Sequence, residues 1–371
     1  MAENTGLGIE GILAIAKQDA NAYDTAKLAT DKVPFLSESI ELEDTILQHD
    51  YLYGGAATPD QQVVFKPISG SIESYLNYST IDDSGAQDEF ISSTLLIGLA
   101  MGGAPVFAGG RNELVGIDDL DVFGTIAVDK GMSSVDLWET SGTFVSGFTI
   151  SGSANEYIKL ASDVQAGALT IDVHSVNTPT TIRAMDDILS SLLMFSEGCF
   201  RIGDQAGALD DDDKMGISAF TLSYSNNLTE AQQSTCDAQN TLGASESAHT
   251  VTTQPIKPVR NGFREVTFEF TVPRYEADTF MDWRDAGTKL QADFKFADTS
   301  TVTAYEFNIF MPYLKIEKVS APVAGAEALT QTVTCRLFKA NSLSDVTFTS
   351  GNAITGELGI ETMDQRTAKL W

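Results

Sequence analysis

The chain has 371 residues, enough for two ordinary domains or one large one, and 43% of them are hydrophobic, so a sizeable core is expected. It carries 23 Lys and Arg against 52 Asp and Glu, a formal net charge of −29. That balance excludes tight nucleic-acid binding, which needs cations to replace phosphate counterions, and it opposes association of subunits at low salt.

The N-terminus, Met1-Ala-Glu-Asn-Thr5, lacks the basic start of a secretion signal. A first strand is predicted at 36–42. A long loop follows at 43–65, holding Tyr51, Tyr53 and the Gly54-Gly55 pair. Structureless connections of that length are uncommon in compact domains and usually functional or disordered. A strand is predicted at 68–76 and a helix at 88–101, with Phe90, Thr94, Ile97 and Met101 on one face. The longest apolar run, 95–107, is broken by Gly98, Gly102, Gly103 and Pro105 and is too short to cross a bilayer. Residues 102–137 are irregular. Strands follow at 143–151, 156–161 and 168–173.

The second half has clearer alternation. Phe220, Leu222 and Tyr224 interleave with Thr221 and Ser223 in a strand at 219–225. A second long loop, 226–261, is rich in Ser, Thr, Gln and Ala and contains Pro255 and Pro258. In the strand at 265–272, Val266, Phe268, Phe270 and Val272 interleave with Glu265, Thr267, Glu269 and Thr271. Each run has one apolar and one polar face, as a half-buried antiparallel sheet requires. A helix at 275–286 follows Pro273, with Ala277, Phe280, Met281 and Trp283 as its apolar side and Gly287 as its C-cap. Strands at 290–296, 305–318 and 331–339 come next, then a tail at 341–371.

Both halves thus read strand, long loop, strand, helix, strands. Ile68, Gly70 and Ile72 match Val266, Phe268 and Phe270 at a constant offset, which points to a duplication.

No catalytic constellation is present. His49, His174 and His249 are isolated, and no phosphate-cradling, zinc-protease or nucleophile-elbow motif occurs. Cys199, Cys236 and Cys335 are few, odd in number and widely spaced, so a disulfide framework is not expected and burial as small hydrophobes is. The acidic run 210–213, followed by Lys214, lacks the ligand spacing of a calcium loop and reads as a solvated turn. The expectations are a soluble, cytoplasm-made, non-enzymatic protein with no cofactor and no metal. The polar face of Glu265, Thr267, Glu269 and Thr271 fits either the outside of an ordinary sandwich or the wall of a wet channel.

The strings Val33-Pro-Phe-Leu-Ser-Glu-Ser-Ile-Glu-Leu42 and Ile68-Ser-Gly-Ser-Ile-Glu73 resemble the major tail tube proteins of long, non-contractile-tailed bacteriophages, in a duplicated form. So do Phe200-Arg-Ile-Gly-Asp-Gln205, Ile217-Ser-Ala-Phe-Thr-Leu-Ser-Tyr-Ser-Asn-Asn-Leu228 and Pro258-Val-Arg-Asn-Gly-Phe-Arg-Glu-Val-Thr-Phe-Glu-Phe270. The resemblance implies a mainly β chain of two tandem tail-tube-type β-sandwich or open-barrel domains, each with one flanking α-helix. Their expected bounds are 1–190 (including the irregular 102–137) and 191–340, with 341–371 as a C-terminal extension. It implies self-assembly into stacked rings that form a virion tail tube, an acidic conduit for passing DNA, with three chains per ring or six. Tyr51, Tyr53, Gly54, Gly55, Pro255 and Pro258 would belong to ring-stacking loops. Glu38, Glu73, Glu265, Thr267, Glu269 and Thr271 would lie on lumen strands. Tape measure, terminator and baseplate proteins would be the partners at the tube ends, with no membrane involved. A surface- or carbohydrate-binding β-sandwich, or a virion decoration protein, is the alternative.

Overall fold

The computed structural model describes residues 10–18, 23, 25–48, 61–78, 92–102, 106–108, 110–118, 122–131, 137–171, 176–185, 192–232, 255–275, 277–298, 305–323, 329–341 and 343–363. The strands of the first half are β1 (Ile12–Lys17), β2 (Asp31–Val33), β3 (Ser37–Glu38), β4 (Glu41–Leu42), β5 (Thr45–Gln48), β6 (Gln61–Phe65) and β7 (Ile68–Tyr75). After helix α1 (Ser92–Met101) come β8 (Val106–Ala108), β9 (Arg111–Val115), β10 (Gly124–Asp129), β11 (Leu137–Ser153), β12 (Lys159–Ala166), β13 (Ala168–Ile171) and helix α2 (Pro179–Arg183). The second half has β14 (Gly198–Asp204), β15 (Lys214–Met215), β16 (Ala219–Ser225), β17 (Glu265–Val272), helix α3 (Thr279–Ala286), β18 (Leu290–Asp298), β19 (Tyr305–Ser320), β20 (Gln331–Leu337) and β21 (Gly359–Met363). The protein is mainly β, and among the described residues every strand pairing is antiparallel.

The pairing order is the same in both halves. In the first, β1 pairs with β10, β10 with β11, β11 with β12, β12 with β7, and β7 with β3 and β4. In the second, β14 pairs with β18, β18 with β19, β19 with β20, β20 with β17, and β17 with β16. One long strand in each half, β11 or β19, serves two sheets. Each shifts register at a bulge, between Val145 and Gly147 in β11 and between Ile316 and Lys318 in β19. A bulge bends a strand and increases its twist, which lets it leave one sheet and enter the other. The core lies between the sheets: Phe200 on β14 meets Phe268 and Phe270 on β17 at 5.4 and 5.1 Å, and Phe220 on β16 meets Phe294 on β18 at 4.7 Å.

Several elements differ from expectation for identifiable reasons. β1 and β10 were not foreseen because they are buried on both faces and have no alternation. Helix α1 is described from Ser92, and its residues from Thr94 to Met101 are all buried, so that stretch has no polar face: it packs on β11, β12, β2 and β9. The irregular stretch supplies β8 and β9, which pair through β21 with β19 of the second half. The C-terminal stretch therefore contributes an internal strand. α3 is shorter than predicted and ends at Gly287, whose φ of 64° is the left-handed cap expected there. Cys335 is buried, but Cys199 is exposed, since it points away from the core between Gly198 and Phe200 on β14. Cys236, His49, His174 and His249 lie outside the described residues. The run 210–213 is an exposed turn in which the Asp212 N–H donates to Asp210, the Asp210 N–H donates to Asp213, and Lys214 pairs with Asp211 at 2.8 Å.

Candidate assembly surface

Alternation in β17 and β16 places Thr267 opposite Ser223 and Glu269 opposite Thr221. Carrying that register sideways gives a continuous sheet in the order β3/β4, β7, β12, β11, β16, β17, β20, β19. The junction between halves is the pairing of Gly147–Ser153 with Ala219–Ser225. Rows of directly opposed residues cross the whole sheet. One runs Ser37, Glu73, Ala161, Thr149, Ser223, Thr267, Arg336, Lys315. The next row toward the other face runs Ser74, Leu160, Ile150, Leu222, Phe268, Cys335, Ile316, and all of these are buried. One face is thus wet along its whole width and the other seals the core.

Each lumen candidate is on this sheet. Glu73 and Glu269 are exposed on the polar face, where Glu73 accepts from the Ser37 hydroxyl (3.1 Å) and Glu269 from the Thr334 hydroxyl (2.9 Å). Glu265 pairs with Arg336 at 3.2 Å, and the Thr271 and Thr332 hydroxyls are 3.3 Å apart. Glu38 differs: at the outer strand it turns to Lys130 in an ion pair and is mostly shielded. Sequence reading had not picked out Asp163, Lys159, Arg336, Lys315 or Lys318, although the same alternation marks them. The face therefore carries Lys159, Lys315, Lys318 and Arg336 beside Glu41, Glu73, Asp163, Glu265, Glu269 and Glu317, the last at the β19 bulge and 3.8 Å from Arg336. Its acidic excess is slight compared with that of the whole chain. The cations gather on β19 and β20, at one border of the sheet.

Both borders lack a neighbouring strand among the described residues. At one, β19 from Lys315 to Ser320 pairs only with β20. At the other, β3 and β4 pair only with β7, and the chain between them crosses Gly70 so closely that a Cβ there would lie 2.6 Å from the Ile40 Cα.

The predicted first loop contains two paired strands. β5 and β6 form a hairpin separate from the main sheet, with Ile46 and Leu47 exposed. Its tip, with Tyr51, Tyr53, Gly54 and Gly55, lies outside the described residues. The second loop is zipped at its root: the Thr229 N–H donates to the Val259 carbonyl (2.8 Å) and the Ile256 N–H to the Gln232 carbonyl (2.9 Å). Pro255 and Pro258 are buried in that root. Lys257 beside them lies over the Phe123 and Phe144 rings at 5.8 and 5.9 Å.

The inserted and C-terminal strands are held by charge. Arg111 donates to Glu306 (2.7 and 3.1 Å) and to Glu361 (2.8 Å), whose side chain is fully buried. Burial works against the charge on Arg111, but its hydrogen bonds and the two carboxylates raise its pKa nonetheless. Arg264, at the start of β17, reaches Asp118 (3.2 Å), Glu357 (2.9 Å) and the Tyr224 hydroxyl (3.3 Å). Among the described residues no group of three or more His, Cys, Asp or Glu is placed to hold a metal ion, and no helix is long and apolar enough to span a membrane.

A family model described as phage tail tube protein matches residues 8–337. No curated protein matches the chain.

Proposed function

The chain belongs to the phage tail tube protein family, a family of structural tail components, and from that premise we propose that its two halves act as equivalent modules of a self-closing ring. The observation that carries this reading is the wet-faced sheet with no strand at either border among the described residues. An open edge of unpaired N–H and C=O groups is a template for another chain, and closure into a barrel removes it. Modules of about 1–190 and 191–340, alike in pairing order, make three chains per ring with pseudo-sixfold symmetry. Rings stack through the hairpin of β5 and β6, whose Ile46 and Leu47 offer apolar cover, and through the two loop tips. Pro255 and Pro258 serve as the rigid root of the second tip. The wall is mixed in charge with a slight acidic excess, so DNA passes without adhering. Synthesis takes place in the host cytoplasm. The tube's other partners are tail proteins inside it and at its ends.

Negative-stain microscopy of concentrated protein tests the reading. Hollow, striated rods are expected, and averaged cross-sections should show three subunits. Six identical subunits, each with one module outside the ring, would replace the trimer, and compact particles at every concentration would sink the tube.

A further inference from the structure

We propose that neighbouring copies join by pairing β19 of one with β4 of the next, with Lys318 opposite Glu43, Val319 opposite Leu42 and Ser320 opposite Glu41. The inference rests on the ring reading above and gives its interface a register.

The register follows from a junction the chain already contains. β11 and β19 occupy the same place in their respective halves, and their bulges coincide: Val145 and Gly147 correspond to Ile316 and Lys318 at one offset. β16 and the β3/β4 pair also correspond. Ser37 and Glu41 face Glu73 and Ser69 of β7 as Ala219 and Ser223 face Thr271 and Thr267 of β17. Within the chain β11 finds β16, with Gly147 opposite Ser225, Phe148 opposite Tyr224 and Thr149 opposite Ser223. The equivalents of those two strands, β19 and β3/β4, are the borders without a strand. Transposing the internal pairs onto them yields the register stated, in which the partner is a second copy of this chain.

The side chains suit it. On the core side, the internal junction stacks Phe148 on Tyr224 at 5.0 Å. Leu42 and Val319, which take those places, are apolar residues packed at the core margin and only partly covered. On the wet side, Glu41 and Glu43 are exposed at one border and Lys318 at the other, with Lys315 nearby; Glu317, the bulged residue beside Lys318, is turned to Arg336 at 3.8 Å. Neither lysine makes an ion pair among the described residues. Opposite charges facing one another across strands favour the pairing, and like charges oppose it. The contact is head to tail, so it repeats from copy to copy rather than stopping at a dimer, and it makes the ring when the rotation per copy closes.

Thr149 and Ser223 bring their hydroxyls within 3.4 Å across the internal junction, so the equivalent Ser320 and Glu41 are placed for a disulfide. In a Cys199→Ser background, Ser320→Cys with Glu41→Cys should give an intermolecular ladder on oxidation, ending in a closed ring species. Ser320→Cys with residue 38 changed instead (Glu38→Cys) should not. Lys318→Glu alone and Glu43→Lys alone should abolish rods, and the double reversal should restore them, each variant keeping the unaltered β-sheet spectrum. Rods from the unaltered chain, with no ladder and no restoration by the double reversal, would overturn this register while leaving the tube standing. No rods or rings from the unaltered chain would overturn the tube and this pairing with it.

Discussion

Replacing Glu361 with alanine removes the carboxylate on which two distant segments converge. In the native protein it accepts from Arg111 (2.8 Å), Asn308 (2.9 Å), the Thr349 N–H (2.8 Å) and the Thr349 hydroxyl (2.7 Å), with no solvent exposure. After the change Arg111 and Asn308 still reach Glu306, but both donors of Thr349 lose the partner these contacts give them. Breaking a buried pair by deleting one member typically costs about 3–5 kcal/mol. Glu361→Gln keeps the shape and some hydrogen bonds and should cost about 1–3 kcal/mol. The loss should be local first, because β21 is the link that holds β8 and β9 on the second half. Hydrogen exchange resolved by segment is the assay. Amides of Arg111–Val115 and Gly359–Met363 should lose protection by the full amount while β16 and β17 lose little. A cost below about 1 kcal/mol, the scale of an exposed pair, would refute the reading of Glu361 as the brace.

Gly70→Val should push the Ser39–Ile40 backbone off β7 and cost about 1–3 kcal/mol, seen as a lower urea midpoint and lost protection in Ser37–Leu42. Burial raises the Cys335 thiol to about 12, so a thiol reagent at neutral pH should label exposed Cys199 and leave Cys335 untouched until unfolding, as read by peptide mass mapping. Burial opposes ionisation of Glu306, yet hydrogen bonds from Arg111 and Asn308 and the charge of Arg111 hold its carboxyl below the usual value. A depressed acid stabilises the fold fully above its ordinary pKa, and that contribution disappears as pH falls through the lowered one. Glu306→Gln should therefore flatten the acid limb of the stability curve below the ordinary carboxylate range. Tyr51→Ser with Tyr53→Ser should give soluble subunits that do not polymerise, and normal tubes from that variant would remove the stacking role from the first loop.

Period-2 alternation determined what it could reach. It located β16 and β17 at their observed bounds, because each has one wet and one dry face and hydrophobicity must alternate with the pleat. It likewise supplied the polar candidates Glu73, Glu265, Thr267, Glu269 and Thr271, and Gly287 was legible because only a left-handed cap ends α3. The matched order of elements in the two halves was also readable, since it needs only sequence.

Tertiary structure decided the rest. β1, β10 and α1 are enclosed on all sides, so their residues carry no periodic mark of where they lie. β9 and β21 are short and pair with each other across more than two hundred residues of chain, and β8 exists only by pairing with β9. Charge on the polar face of the main sheet was the least predictable: composition made it acidic, whereas cross-strand register gathers Lys315, Lys318 and Arg336 with Glu317 at one border and Glu41 at the other. A sequence lists which side chains can share a face, but only the register of strands brought together from both halves says which charges become neighbours.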